Sequence, residues 1–424
     1  MYYLDEIVQS QKRGEAIGIP SICSAHPWVL KETLKAPETP RVRLVEATCN
    51  QVNQFGGYTG MTPAGFVRYV REIAKENNFP FENIILGGDH LGPNVWQDEP
   101  ANLAMQKSAV MMKDYVQAGF VKIHLDCSMR LGDDPAGALD PGISARRAAK
   151  LAKVAELSVG AGLSPARLPR YVIGTEVPIP GGAQEHEAGV SVTKVEDARQ
   201  TIRVTHEAFV REGLESAWER VIALVVQPGV EFGDDFVLEY QPAAARDLSR
   251  FVESQAMVYE AHSTDYQTRE ALKNLVRDHF AILKVGPGLT FAFREAAFAL
   301  AMMENELFPT SRSNLIRVLD DVMVQHPEHW KKYYHGSEEK QAFKREFSFS
   351  DRIRYCWHDP QVQAAWEMLM GNLREKPLPL SLLSQFAPRQ YEHIRRGEIA
   401  WTPEAVILDH IRAVLLDYET VCVS

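Results

Sequence analysis

Eight short apolar runs in the first three hundred residues each end on polar or charged side chains, and this repetition limits the possible folds more than any other feature. The clearest run begins at Ile84 and stops on Asp89 and His90, after which a Gly-Pro pair turns the backbone away. Short unbroken apolar runs are typical of strands that are buried on both faces of a parallel sheet. The other seven runs end on Ser24 and His26, Glu46 and Asn50, His124 and Asp126, Glu176, Gln227, Glu260 and His262, and Lys284.

Helical patterns separate these runs. One helical face is formed by residues at the spacing of Met105, Ala109, Met112 and Val116, and residues 193–196 (Thr-Lys-Val-Glu) have the pattern of a capping box that opens another helix. Strands that alternate with helices in this way imply parallel βαβ units. Eight such units predict an α/β fold, a closed (β/α)8 TIM barrel, with a doubly wound open sheet as the alternative.

The pattern changes near residue 303, after which helices follow one another without apolar runs between them. A late example places Ile407, Ile411, Val414, Leu415 and Tyr418 on one helical face. The predicted organisation is therefore a barrel catalytic domain at residues 1–303 and a helical C-terminal extension at residues 304–424. We expect this extension to pack on the barrel rather than fold independently.

Composition restricts the class of partner. The formal net charge of −10 argues against a general nucleic-acid binder. Five cysteines without paired spacing predict neither a disulfide framework nor a CxxC zinc site, and they fit a reducing cytoplasm. No apolar run approaches the roughly 18 residues that a membrane span needs. We expect a soluble cytoplasmic protein that binds small molecules rather than nucleic acid or a membrane, and self-association stays open.

Polar residues at the strand ends predict a metal site, because all eight strand ends of a barrel meet at one rim. Histidine, carboxylate and amide ligands suit a divalent metal such as Zn, Mn or Mg. A metal polarises a carbonyl group, and a nearby carboxylate can move a proton. For His124 the alternative is a histidine of the apolar core, and for Glu46 and Glu260 it is ion pairing with Lys or Arg. The residues expected to converge are Asp89, His90, Asp126, Glu176, Gln227, Glu260 and His262.

The last two strand ends predict a phosphate site. Strand seven ends in residues 262–265 (His-Ser-Thr-Asp), and strand eight leads from Lys284 through Gly286 into a helix. Loops after strands seven and eight, with N–H groups at a helix N-terminus, are the usual phosphate position of such barrels. A phosphorylated substrate is expected, although the glycines could instead serve only to make tight turns.

Several sequence runs together resemble one family. The chain is similar to the GatZ/KbaZ family, the second subunits of tagatose-1,6-bisphosphate aldolases, and the resemblance covers nearly its whole length. That family is distantly similar to the class II ketose-bisphosphate aldolases, which are metal-dependent barrels. The runs that carry the resemblance are residues 23–27 (CSAHP), 50–63, 87–94 (GGDHLGPN), 122–126 (KIHLD), 174–178 (GTEVP), 260–267 (EAHSTDYQ), 285–287, 350–355 (SDRIRY) and 382–385.

The resemblance implies roles for individual residues. Asp89 would exchange a proton with the C4 hydroxyl of a ketose, and Asp126 would be the second acid or base. Gln227 stands where the class II aldolases carry a metal-binding histidine, which departs from their pattern. Zinc is the first choice of metal, with manganese or magnesium as alternatives. The implied metal ligands are His90, Glu176, Gln227 and His262, and the implied substrate contacts are Gln54, Ser263, Lys284 and Gly286.

The resemblance leaves several functions to weigh. Family members have been regarded as non-catalytic stabilisers of an aldolase subunit, some are labelled tagatose-6-phosphate kinases, and others resemble ketose 4-epimerases. The sequence contains no GxxxxGK[ST] phosphate-binding loop, so it does not support a kinase function. Retro-aldol cleavage between C3 and C4 would allow epimerisation at C4 in a metal site. We therefore expect a metal-dependent epimerase that converts D-tagatose 6-phosphate to D-fructose 6-phosphate, with the stabilising aldolase subunit as the alternative.

Overall fold

Eight parallel strands close into a barrel in a computed structural model that describes residues 3–36, 41–160, 167–174 and 190–422. The strands of the chain are β1 (Ile19–Cys23), β2 (Arg43–Thr48), β3 (Ile84–Leu91), β4 (Lys122–Leu125), β5 (Arg170–Ile173), β6 (Val221–Val225), β7 (Glu231–Phe232), β8 (Val237–Leu238), β9 (Val258–Ala261) and β10 (Phe280–Val285). The barrel follows chain order from β1 to β6, continues with β9 and β10, and closes where β10 pairs with β1. β7 and β8 form a separate antiparallel hairpin. The predicted TIM barrel is confirmed.

Helices surround this barrel. They are α1 (Tyr3–Lys12), α2 (Pro27–Thr33), α3 (Pro63–Glu76), α4 (Ala101–Ala118), α5 (Pro141–Ser158), α6 (Val195–Arg211), α7 (Glu215–Trp218), α8 (Pro242–Glu253), α9 (Arg269–Arg277), α10 (Pro287–Leu307), α11 (Leu315–Gln325), α12 (Glu338–Phe347), α13 (Pro360–Glu375), α14 (Leu380–Phe386), α15 (Pro388–Arg395) and α16 (Pro403–Cys422). The described part of the chain contains no helix that is both long and apolar enough to cross a membrane.

The start of α6 differs from the capping-box prediction. The helix begins at Val195 with Lys194 as its N-cap, and no side chain there caps the helix. The Thr193 hydroxyl instead accepts a hydrogen bond from the backbone N–H of Gln227, at 2.8 Å. A tertiary contact has therefore taken the hydroxyl that the local pattern assigned to the helix.

The N-terminal end of the barrel is closed by α1. Ile19, Leu44 and Ile85 occupy the first or second position of their strands and belong to one buried apolar cluster with side chains of α1. Burial of such side chains is the main favourable contribution to folding. The whole cluster comprises Leu4, Ile7, Val8, Ile19, Leu44, Ile85, Val172, Ile222, Ala223, Val225, Val258, Ala281 and Ile282.

The C-terminal helices are fastened to the barrel at several points. The Tyr418 hydroxyl donates to the Thr264 carbonyl at 2.7 Å, and the Gly18 N–H donates to the Cys422 carbonyl at 3.0 Å. Both contacts join α16 to segments beside the barrel strands. The predicted boundary between residues 303 and 304 falls inside the continuous helix α10. The division into two domains therefore stays a prediction.

Candidate functional site

β3 carries Asp89 and His90 into the C-terminal end of the barrel, where both side chains are buried. The pairing of β3 with β4 shifts between Gly88 and Leu91, an irregularity of the kind that redirects side chains near active sites. His90 has a φ of +49°, a left-handed conformation that residues other than glycine rarely adopt. A Cβ at Gly87 would lie 2.4 Å from a carboxylate oxygen of Glu46, so this glycine makes room for that side chain.

Three imidazoles meet beneath the barrel mouth. The ring centroids of His90, His124 and His262 are separated by 5.0 to 5.3 Å. The Nε2 atoms of His90 and His124 are buried and have no hydrogen-bond partner among the residues that the structure describes. Burial lowers the pKa of His262 to about 3 and also lowers the pKa of His90. These two rings are therefore neutral at neutral pH, which is the form that binds metals.

Asp89 is held by its neighbours from several sides. Its Oδ1 lies 2.8 Å from His124 Nδ1, and its Oδ2 forms an ion pair with the Lys284 ammonium. His90 Nε2 lies 3.5 Å from the same Oδ2. Burial alone would raise the pKa of Asp89, but His90, Lys284 and the hydrogen bond with His124 hold it well below its usual range. The carboxylate is therefore a weak proton acceptor.

Asp126 orients His90. Its Oδ2 lies 2.7 Å from His90 Nδ1, and its Oδ1 accepts hydrogen bonds from the backbone N–H and the hydroxyl of Ser128, at 3.1 and 2.7 Å. Burial would raise the pKa of Asp126, but the hydrogen bond with His90 and the nearby imidazoles keep it below its ordinary value. A carboxylate in this position fixes the orientation and the tautomer of a histidine.

Lys122 lies wholly inside the barrel between two carboxylates. Its Nζ is 2.6 Å from Glu46 and 2.6 Å from Glu260. Burial raises the pKa of Glu46, whereas Lys122 and the hydrogen bond with His262 outweigh burial at Glu260 and lower its pKa to about 2. The two glutamates are thus ion-pair partners, as one alternative expected, although sequence reasoning missed the lysine. The sequence pattern that could have indicated Lys122 is its spacing from His124 and Asp126, because residues two apart on a strand point to the same face.

The residues of this layer fit a divalent metal. One potential ligand atom from each of Asp89, His124, Glu260 and His262 lies within 4.8 Å of the others. In their ordinary charged forms, Lys122 and Lys284 are paired with three carboxylates of this layer and Asp126 adds a fourth beside His90, so two positive minus four negative charges leave −2. The Nε2 atoms of His90 and His124, which have no hydrogen-bond partner among the described residues, add two possible nitrogen ligands. A divalent cation would satisfy both the charge and the donors.

The predicted ligand set is only partly assembled here. His262 belongs to the cluster, and the His90 ring lies beside it. The Gln227 amide oxygen accepts hydrogen bonds from the backbone N–H groups of Gly229 and Val230, at 2.8 and 3.1 Å, and so serves its own loop. Glu176 lies outside the described residues. His124, for which a core role was the alternative, is part of the cluster instead.

A cavity of about 580 Å³ opens above the imidazoles. It contains five predicted site residues in its wall, and its volume suits a small-molecule ligand. Gln54 has a different role, because its amide nitrogen donates to the Lys107 carbonyl at 3.0 Å. The wall residues that were predicted from sequence are His90, His262, Ser263, Lys284 and Gly286.

The predicted phosphate loop is already satisfied by a side chain. Asp265 Oδ1 accepts hydrogen bonds from the backbone N–H groups of Gly286 and Gly288, at 2.9 and 2.7 Å. These are the donors at the N-terminus of α10 that sequence reasoning assigned to a phosphate. An anion at that position would have to displace a buried carboxylate.

The C-terminal extension supplies part of the cavity wall. A short 3-10 turn (Arg352–Tyr355) places Arg354 and Tyr355 at the mouth of the barrel. The run at residues 350–355 carries part of the family resemblance, but the sequence pattern predicts no role for it. The residues of the extension in the wall are Arg354, Tyr355, Trp357, His358 and Gln363.

Comparison with known proteins identifies the family. A model of the family "D-tagatose-1,6-bisphosphate aldolase subunit GatZ/KbaZ-like" matches residues 4–423. The chain belongs to the GatZ/KbaZ-like family. It is 53% identical over 423 residues to the D-tagatose-1,6-bisphosphate aldolase subunit GatZ of Klebsiella pneumoniae, a match that covers 99% of each chain. It also resembles the crystal structure of a probable tagatose 6 phosphate kinase from Sinorhizobium meliloti 1021, with a TM-score of 0.88, 48% identity and coverage of 96% of this chain and 100% of that one.

These findings contradict the expected epimerase and favour the alternative, because GatZ/KbaZ-like proteins are described as aldolase subunits. The family points to sugar-phosphate metabolism. The geometry gives a physical reason for the error. The epimerase assignment relied on Asp89 as a proton acceptor next to His90, but His90 and Lys284 hold the pKa of that carboxyl well below its usual range and make it a poor base.

Proposed function

We propose that this GatZ/KbaZ-like chain is a non-catalytic, stabilising subunit of a class II D-tagatose-1,6-bisphosphate aldolase and acts together with a separate aldolase chain. The observation that carries the proposal is the 53% identity with the Klebsiella subunit across 99% of both chains. A match of that extent includes both the barrel and the C-terminal helices. The name of that relative implies that a further chain completes the enzyme.

The state of the two candidate acid–base residues supports a non-catalytic role. A general base works best when its pKa lies near the operating pH. Against the effect of burial, His90 and Lys284 lower the pKa of Asp89, and the hydrogen bond with His90 lowers the pKa of Asp126. Both carboxylates are occupied in ion pairs or hydrogen bonds inside the barrel.

A divalent metal forms a second part of the proposal. His90, His124 and His262 would hold it, with Glu260 and Asp89 as adjacent carboxylates. Zinc is the first choice because imidazole suits it, and manganese or magnesium are the alternatives. When bound, the metal would supply positive charge to a layer that has an excess of carboxylates. A metal that binds only the folded chain at 100 times its Kd would stabilise it by about 2.7 kcal/mol.

The test compares three preparations: this chain alone, a class II tagatose-bisphosphate aldolase chain alone, and the two mixed in equal amounts. Cleavage of D-tagatose 1,6-bisphosphate is followed by release of triose phosphate, both immediately and after incubation at elevated temperature. We expect no cleavage by this chain alone, and an aldolase half-life that is several-fold longer in the mixture.

An unrelated single-chain class II fructose-bisphosphate aldolase serves as the matched control, and its half-life should not change. Cleavage by this chain alone would show that it is itself a catalyst. An aldolase partner whose activity and half-life are the same with and without this chain would show that the subunit assignment is wrong.

A further inference from the structure

Arg354 places a guanidinium group in the cavity wall, where no carboxylate of the described residues lies within ion-pair distance, although the Asp351 carboxylate interacts with it at longer range. Its Nη1 donates to the backbone carbonyls of Ser350 and Asp351, the latter at 3.0 Å, and its Nη2 donates to the Tyr355 hydroxyl at 2.9 Å. All three acceptors are neutral. Within residues 3–36, 41–160, 167–174 and 190–422, no ion pair includes Arg354.

Other buried or half-buried arginines of this chain have carboxylate partners. Arg352 is the exception among the neighbours, but it stacks on the Tyr333 ring at 3.1 Å and donates to the His329 carbonyl. Arg354 also lies over an aromatic ring, 4.5 Å from the Tyr355 centroid, but unlike Arg352 it lines the cavity, where an external anion can reach its charge. The paired examples are Arg43 with Glu419, Arg147 with Asp134, Arg294 with Asp351 and Arg345 with Asp320.

The charges of the cavity wall also favour an anion. Its permanently cationic side chains are Lys284 and Arg354, and Asp265 is its one acidic residue among the described lining. The Asp265 carboxyl is turned to the N–H groups of Gly286 and Gly288, and burial raises its pKa. The remaining lining residues are neutral or are histidines. Because Lys284 is already paired with Asp89, Arg354 is the cationic side chain of the described lining that is left to receive an anion.

The segment that carries Arg354 is held in a defined position. Asp351 has a φ of +48°, and its carboxylate accepts a hydrogen bond from the Thr290 hydroxyl at 2.5 Å and lies 3.4 Å from Arg294 Nε. Both partners belong to the first turns of α10. A residue in this strained conformation persists only where the surrounding contacts hold it, and such residues cluster at functional sites. The contacts of Asp351 thus preorganise the turn at the cavity.

We propose that Arg354 binds the phosphoryl group of a sugar phosphate in this cavity. The inference rests on the proposed function, which supplies the sugar-phosphate class of ligand. A guanidinium recognises phosphate through two parallel N–H···O bonds and suits this task better than an ammonium group. The sequence places the phosphate at the loop of residues 286–288, but the N–H groups there donate to Asp265. The proposed phosphate site therefore lies on the C-terminal extension instead.

The test measures ligand affinity of the purified full-length chain, with no aldolase partner present. The ligands are D-tagatose 6-phosphate, D-tagatose 1,6-bisphosphate, unphosphorylated D-tagatose and inorganic phosphate, titrated by isothermal calorimetry and by the fluorescence of Trp357 in the cavity wall. We expect the phosphorylated sugars to bind at least tenfold more tightly than tagatose. Inorganic phosphate should compete with them more weakly.

Substitution of the arginine should remove this preference. Arg354→Gln is expected to lower sugar-phosphate affinity by 10- to 100-fold and to leave tagatose affinity unchanged, and Arg354→Lys should restore part of the loss because it returns the charge. Arg317→Gln, at an arginine that is 85% exposed on α11, is the matched control and should bind like the unsubstituted chain.

Two outcomes would overturn the proposal. One is equal binding of phosphorylated and unphosphorylated tagatose by the unsubstituted chain, and the other is full phosphate preference in Arg354→Gln. If Arg354→Gln does not fold, Arg354→Lys should still show a weaker phosphate preference than the unsubstituted chain, because it lacks the planar pair of N–H donors, and an unchanged preference would overturn the proposal. Binding without any effect on an aldolase chain would refute the proposed function alone, whereas stabilisation of the aldolase without phosphate preference would refute this inference alone.

Discussion

The two ends of the barrel interior are built on opposite principles. At the end where strands begin, Ile19, Leu44 and Ile85 pack on apolar side chains of α1. Toward the other end, the Lys122 ammonium reaches from the start of β4 to Glu46 and Glu260, and Lys284 lies against Asp89 beside the buried imidazoles. The first end stabilises the fold by excluding water. The second end removes charged groups from water and recovers that free energy only through close pairing.

This difference between the apolar and the polar end indicates which of them serves a function other than folding. A layer of paired charges is weak evidence for stability, because apolar side chains of similar volume would often serve as well. His90, Ser263 and Asp351 at the polar end all have positive φ. The polar end is also the end that the C-terminal extension covers. We infer that ligand or metal binding, not folding, accounts for the composition of the polar end.

The largest effect that tests this contrast is expected from Lys122→Met. Removal of the ammonium group leaves Glu46 and Glu260 buried without their common partner, although each now lies 2.6 Å from it. Loss of one partner of a buried ion pair typically costs about 3–5 kcal/mol of unfolding free energy. Urea unfolding followed by tryptophan fluorescence measures the change.

Lys150→Met, at an exposed lysine of α5, is the control and should change the unfolding free energy by less than about 0.5 kcal/mol. Adding Glu46→Gln to Lys122→Met should recover part of the loss, because burial already raises the pKa of Glu46. If Lys122→Met unfolds at the same urea concentration as the unsubstituted chain, the buried charges are not coupled as described.

The apolar end should respond through packing alone. Leu4→Ala removes a side chain of α1 that is 1% exposed and leaves a gap against the barrel, which should lower the unfolding free energy by about 2–3 kcal/mol. Sugar-phosphate and metal affinity should stay the same, since the change lies at the opposite end. Leu103→Ala, at a leucine that is 45% exposed on α4, is the control. A loss of ligand affinity in Leu4→Ala would show that the two ends are coupled.

The fold could be predicted because its signals are local and repeated. Each apolar run specifies a strand by itself, and eight of them separated by helical patterns leave few topologies other than a closed barrel. Local signals failed where a tertiary contact competes for the same group. The hydroxyl of Thr193 is an example, because Gln227 binds it instead of the helix that follows.

The site could be predicted only in part, because it depends on partners that are remote in sequence. Asp89, His90 and His262 stand out at strand ends, but the contact of Asp89 with Lys284 joins residues 195 positions apart (284 minus 89), and no local pattern indicates it. The position of Arg354 depends on how the C-terminal helices fold back over the barrel. Neither contact could be derived from the spacing of residues along the chain.

The smallest effect concerns the support of one imidazole at the polar end. Asp126→Asn should leave the metal-free chain nearly as stable as before but should lower its affinity for Zn²⁺, because His90 loses the carboxylate that lies 2.7 Å from its Nδ1. Loss of such a supporting partner typically costs 10- to 100-fold in metal affinity, or about 1.4–2.7 kcal/mol. Equilibrium dialysis of chelator-treated protein against buffered Zn²⁺ measures this affinity. Asp134→Asn breaks an ion pair with Arg147 outside the imidazole cluster and should bind Zn²⁺ like the unsubstituted chain. Equal Zn²⁺ affinity in Asp126→Asn and Asp134→Asn would mean that His90 is not a ligand, and the metal would then be assigned to His124 and His262 with Glu260.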